Sequence, residues 1–175
     1  MPKLLFAFLL IFTPLLTAFG QEATDISPRP WPFEAGDIPV DPRGHFGHLD
    51  NGLRWVWVDN ATPKYRSYLR LIVDVGSFAE EEHELGMAHF VEHMAFNGIE
   101  GLPGESLVTL FQQLGMRAGA DNNASTGQFR TTYHLDMQEY PSAPQLQRLY
   151  IGLNIFRGFA DKIIFDKDEV EKEKG

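Results

Sequence analysis

The chain has 175 residues, 24 acidic against 15 basic side chains, and a net charge of −9. That length supports one domain with a real core, and the acidic balance excludes nucleic acid as a partner, because phosphate binding needs a basic face. The chain has no Cys, which excludes disulfides, thiolate-held metal and a thiol nucleophile, so any metal here must be held by His and carboxylates.

The N-terminus reads as an export signal. Lys3 supplies a positive start, Leu4 to Leu16 is an apolar run too short to span a bilayer comfortably, and Ala18-Phe19-Gly20 places small residues where a signal peptidase reads. Residues 1–20 are therefore expected to be a signal peptide. The mature chain would begin at Gln21, keep no membrane anchor, and be periplasmic or secreted. Residues 21–48 carry Pro28, Pro30, Pro32, Pro39 and Pro42. Proline lacks a backbone donor and breaks helix, so this stretch reads as an extended lead-in.

Regular structure is expected from residue 49 to 175. Asn51-Gly52 signals a turn, and Leu53 to Asp59 alternates, with Leu53, Trp55 and Trp57 on one face. Tyr68 to Val75 alternates again, and the two runs read as antiparallel neighbours. Four Glu between Glu80 and Glu84 precede an apolar helix over Leu85 to Phe96, stopped by Asn97-Gly98. Glu80 to Glu82 reads as its solvated start. A second helix spans about Glu105 to Leu114 with Gly115 as its stop. Phe129 to Met137 alternates as a strand, and Leu146, Leu149, Leu153 and Phe156 mark a third helix. Asp166 can cap a fourth, with Glu169 three residues on. The fold class is α+β, an antiparallel or mixed sheet with helices packed on it.

The chemistry concentrates in His89-Phe90-Val91-Glu92-His93. On a helix, positions i and i+4 share a face, so His89 and His93 can offer two imidazole nitrogens to one ion. Glu92 lies beside that face. Zinc suits two His and a carboxylate with a position left for water, whose proton a nearby Glu can take. Three fixed positions also recur by chance, the alternative being a helix with two ordinary His and a solvated Glu. Against that alternative, the polar residues interrupt Ala88, Phe90, Val91 and Met94, and buried polar groups need partners. His45, His48, His83 and His134 have no ligand spacing to one another and read as solvated or structural.

The stretch Gly86-Met87-Ala88-His89-Phe90-Val91-Glu92-His93-Met94-Ala95-Phe96-Asn97-Gly98 resembles the motif helix of the inverzincin peptidases, the group of pitrilysin, insulin-degrading enzyme and the mitochondrial processing peptidase. Asn51 to Arg54, Asn123 to Thr126 and Phe165 to Lys174 are similar to other parts of that family, so the resemblance covers about residues 45–175. It implies a processing-peptidase-like zinc metallohydrolase that cleaves peptides or unfolded polypeptides. It further implies Zn2+ on His89 and His93, Glu92 as general base, and Asn123 and Ala124 on an edge strand that pairs with substrate backbone. Glu173 matches an acid that supports a ligand from behind. The family's third ligand is a Glu about seven residues further on, expected beyond Gly175 at roughly position 180. Glu173 lies about two turns, roughly 10 Å, short of that place. The expectation is therefore a domain incomplete at its C-terminus, inactive as it stands and lacking a remainder of the enzyme. A non-catalytic relict or peptide-binding module of the same fold is the alternative.

Overall fold

The computed structural model of the chain describes residues 30–37, 39–139 and 147–174. The expected signal segment, Leu146 of the third helix and Gly175 lie outside the described residues. So does the third metal ligand expected beyond Gly175. The chain divides into two packing units, one up to Asn60 and one from Ala61 onward.

In the first unit a 3-10 turn, Pro32–Ala35, precedes a hairpin of β1 (Gly44–His48) and β2 (Arg54–Val58). Its register runs from Gly44 opposite Val58 to His48 opposite Arg54. The Asn51-Gly52 turn closes it, with Gly52 donating to the Leu49 carbonyl and Leu49 to that of Leu53. Trp31 and Phe33 pack on Phe46, and the Arg54 guanidinium lies 5.1 Å from the Trp31 ring centroid. This corrects one expectation. The run after Asn51-Gly52 pairs backward with β1, not forward with the next strand. The turn signal belongs to a hairpin whose first strand sits inside the Pro-rich stretch, where the density of Pro masks it.

The second unit is built on a three-stranded antiparallel sheet ordered β3 (Arg66–Val73), β7 (Thr131–Gln138), β6 (Asn122–Thr126). The strand β7 alternates as its sequence requires: Thr131, Tyr133, Leu135 and Met137 are buried and the residues between them are not. That buried face meets three helices, α1 (Met87–Phe96), α2 (Gly104–Gln113) and α3 (Gln147–Asp161). The core joins Leu69 and Leu135 to Ala95 of α1, Leu107 and Phe111 of α2, and Ile155, Phe156 and Phe159 of α3. Truncating Leu135, fully buried, to Ala would cost about 2–5 kcal/mol.

The helix α2 stops as expected at Gly115. Gly115 donates to Gln112 and Met116 to Phe111, the paired bonds of a Schellman end, with Gly115 at φ 73°. Two short strands the sequence reading missed, β4 (Gly98–Ile99) and β5 (Leu102–Pro103), turn the chain between α1 and α2. The helix α3 departs from its expected stripe. Leu153 is exposed, while Gly152, Ile155, Phe156, Gly158 and Phe159 are buried. Gly158 explains the rotation: a Cβ there would collide with the Ile99 side chain, so the helix is drawn in along its glycine side. The last helix, α4 (Lys167–Glu173), is capped as expected, the Asp166 side chain accepting from the Asp168 and Glu169 N–H groups. Among the described residues no helix is long and apolar enough to cross a membrane.

Candidate metal centre

The helix α1 carries His89, Glu92 and His93, and one ligand atom from each lies within 4.8 Å of the others. The two His are exposed and Glu92 is buried, at 7 %. The Nε2 atoms of His89 and His93 face each other at 3.0 Å. Two nitrogens about 2.0–2.1 Å from one tetrahedral zinc stand about 3.3 Å apart, so the pair is set within a few tenths of an ångström of that spacing.

Behind His93 stands Glu173 of α4. His93 Nδ1 is hydrogen-bonded to Glu173 Oε1, and Asn97 Nδ2 donates to Glu173 Oε2 at 3.3 Å. A carboxylate only accepts, so Nδ1 of His93 carries a proton, and in the neutral imidazole Nε2 then holds the lone pair, on the side of His89. The His93 bond, then the Asn97 amide, holds the Glu173 carboxyl below the ordinary carboxylate range. At this distance the two Nε2 atoms share a proton in a hydrogen bond, or a cation takes that proton's place. The donor set therefore fits a zinc ion: two imidazole nitrogens converge, and one is oriented by a carboxylate, the usual backing of a zinc-bound His.

Glu92 is held separately. Its Oε2 accepts from Thr126 Oγ1 at 2.7 Å, from the far end of β6. Thr131, opposite Thr126 in the sheet register, donates from Oγ1 to the Val75 carbonyl at 3.0 Å. Tyr133 is also buried here. Burial, and then the charge of Glu92, pushes its phenol up to about 12, so it remains neutral at ordinary pH.

The N-terminus of α1 differs from expectation. The N-cap is Gly86 in a left-handed conformation with no side chain to cap the helix. Glu80 reaches forward instead, its Oε2 accepting from the Gly86 N–H at 2.8 Å and its Oε1 from the Ala88 N–H at 2.7 Å. Glu80 is thus a remote cap, not part of a solvated start.

Asn123 and Ala124 lie on β6, which has β7 on one side and, among the described residues, is the outer strand of its sheet. The bonds Asp136 to the Asp121 carbonyl and Gly127 to the Arg130 carbonyl place the β7 ladder on the odd-numbered residues. The backbone of Ala124 therefore faces the outer edge, where its N–H donates to Asn123 Oδ1 at 2.9 Å. The hydrogen bonds of His93 to Glu173 and of Glu92 to Thr126 tie α1 to both α4 and β6.

The family model described as Insulinase (Peptidase family M16) matches residues 55–175. The chain belongs to the insulinase family. Probable zinc protease PqqL of Escherichia coli K12 is 39 % identical over 141 residues, covering 81 % of this chain and 15 % of that relative. A crystal structure of the first half of the periplasmic protease PqqL from Escherichia coli matches with a TM-score of 0.72 and 38 % identity, over 79 % of this chain and 29 % of that one. The ferredoxin protease FusC, in complex with Arabidopsis ferredoxin, matches with a TM-score of 0.64 and 32 % identity, over 75 % of this chain and 14 % of that one. The chain thus spans less than a fifth of the length of the PqqL relatives it matches. Insulinase-family membership makes this a chain of a zinc metallopeptidase family, and the α+β fold agrees with those structures.

Within that family fold, the structure brings His89, Glu92, His93 and Glu173 together. Asn123 and Ala124 lie on the strand that ends at Thr126 beside Glu92. Sequence reading missed Thr126, Thr131 and Glu80. Thr126 was visible as the fourth residue of the Asn123 to Thr126 match, and strand alternation puts it on the same side as Ala124, but nothing in spacing alone ties a Thr to a Glu 34 residues away.

Proposed function

We propose that this chain supplies the metal-binding helix, the general base and part of the substrate edge of an exported zinc endopeptidase acting on peptides or unfolded polypeptides. The observation that carries the reading is the convergence of the His89 and His93 Nε2 atoms at 3.0 Å beside the buried Glu92 carboxylate. His89 and His93 would hold Zn2+, with a third ligand from the family's Glu expected beyond Gly175. Bound there, zinc supplies Lewis-acid polarisation of a carbonyl and lowers the pKa of a water to roughly 7.

The protein's own groups do the rest. Glu92 takes the proton of the attacking water and passes it to the leaving amine. Glu173 keeps His93 in the tautomer that leaves Nε2 free to bind. The outward backbone of Ala124, with Asn123 beside it, takes a substrate strand by main-chain pairing, which reads backbone and tolerates varied side chains. A polypeptide substrate is in keeping with the ferredoxin held by FusC. Residues 1–20 act as the export signal, and the periplasmic relative supports the same compartment. The outward backbone of Ala124 equally favours the second reading, a peptide-binding module without catalysis. Turnover by the parent protein as its source makes it separates the two, and Glu92→Gln tests the peptidase reading: it expects full zinc content and no hydrolysis in that variant, and undiminished turnover by it refutes the reading.

A further inference from the structure

Thr126 occupies an unusual place for a hydroxyl. It closes β6, and its side chain faces α1, where Oγ1 donates to Glu92 Oε2 at 2.7 Å. Its neighbour across the ladder, Thr131, is buried, at 5 %, and spends its own proton on the Val75 carbonyl. The two hydroxyl oxygens stand 3.5 Å apart. Each hydroxyl has one proton, and both protons are placed elsewhere, so this contact is packing and not a bond. Thr131 is thereby fixed by the backbone of the segment after β3, and it walls one side of Thr126.

We infer that Thr126 is a positioning residue for Glu92, pinning Oε2 so that Oε1 is presented as the proton acceptor. This rests on the peptidase reading above. A β-branched side chain has few χ1 options, and one carried on a paired strand is held more firmly than one on a loop. The hydroxyl can donate only one hydrogen bond, so it distinguishes the two carboxylate oxygens, which a freely turning carboxylate would exchange. A purely structural role, satisfying a buried carboxylate, would show in stability alone. A positioning role shows in turnover, because a base displaced by about 1 Å can lose about 100-fold in rate.

The test uses the zinc-loaded protein as its source makes it, an internally quenched peptide, and Thr126→Val, Thr126→Ala and Thr126→Ser. The first removes the hydroxyl at equal size, and the second does so without crowding if the first fails to fold. Both should lower kcat about 10- to 100-fold with KM and zinc content unchanged, and Thr126→Ser should recover most of the loss. Independently of turnover, the 13C carboxyl resonance of Glu92, identified by its absence in Glu92→Gln, should move in the Val and Ala variants and return in the Ser variant. Wild-type kcat in the hydroxyl-free variants, or an unmoved resonance, overturns the inference. If Glu92→Gln is inert while Thr126→Val and Thr126→Ala turn over normally, only the positioning role falls. If Glu92→Gln itself hydrolyses normally, the peptidase reading falls, and the resonance alone decides whether Thr126 fixes the carboxylate.

Discussion

His93 Nδ1 donates to the Oε1 oxygen of Glu173, joining two residues 80 positions apart in the chain. The bond links α1 to α4 and selects the tautomer that leaves His93 Nε2 open toward His89. Replacing Glu173 with Ala should leave both imidazoles in place but unlock the His93 ring. Zinc affinity is then expected to fall about 10- to 100-fold, the usual consequence of losing the group behind a zinc-bound His. A competition titration with a chelator measures this, and an unchanged affinity would show that the bond is incidental.

The remote cap makes a stability prediction. Glu80 satisfies two N–H groups at the start of the helix that carries the site. Glu80→Ala should destabilise the fold by about 1 kcal/mol, within the range for loss of an N-terminal cap. Glu80→Gln, which keeps one acceptor oxygen, should lose less. Urea midpoints for the three proteins check the order, and equal midpoints would mean that water replaces the cap without cost.

Much of the fold was legible because burial imposes period on sequence. The alternation of Thr131 to Met137, the stop at Gly115 and the cap at Asp166 are local signals, and each is where the chain put it. The hairpin partner of β2, the two-residue strands at Gly98 and Leu102, and the face of α3 were not. Pairing depends on which strand arrives, and the turn of α3 depends on Ile99 meeting Gly158 across the core. The site divides in the same way. His89, Glu92 and His93 are one helical turn of sequence and could be read directly. Glu80, six and eight residues from the N–H groups it caps, and Thr126, on another element, act through tertiary contacts that no spacing encodes.

Acid should weaken the sheet end at Asp121. The Arg117 side chain and backbone N–H, with Arg66 adding a smaller attraction, hold its carboxyl at about 2 against an ordinary 3.8. The folded value lies below the unfolded one, so this contribution is present in full above about pH 4 and is lost as pH falls toward about 2. Asp121→Asn should be less stable than the parent at about pH 5 and should lose less further stability between about pH 5 and about pH 2.5. Parallel pH profiles of the urea midpoint in the two proteins would contradict the assignment.

The most direct test of the central claim is the zinc content of the purified protein, as its source makes it, beside that of His89→Ala. The account predicts about one zinc per chain in the parent, as a single site of two converging imidazoles requires, and almost none after dialysis in the variant. Equal zinc in both proteins would contradict it, because the metal would then be held without the nitrogen that faces His93.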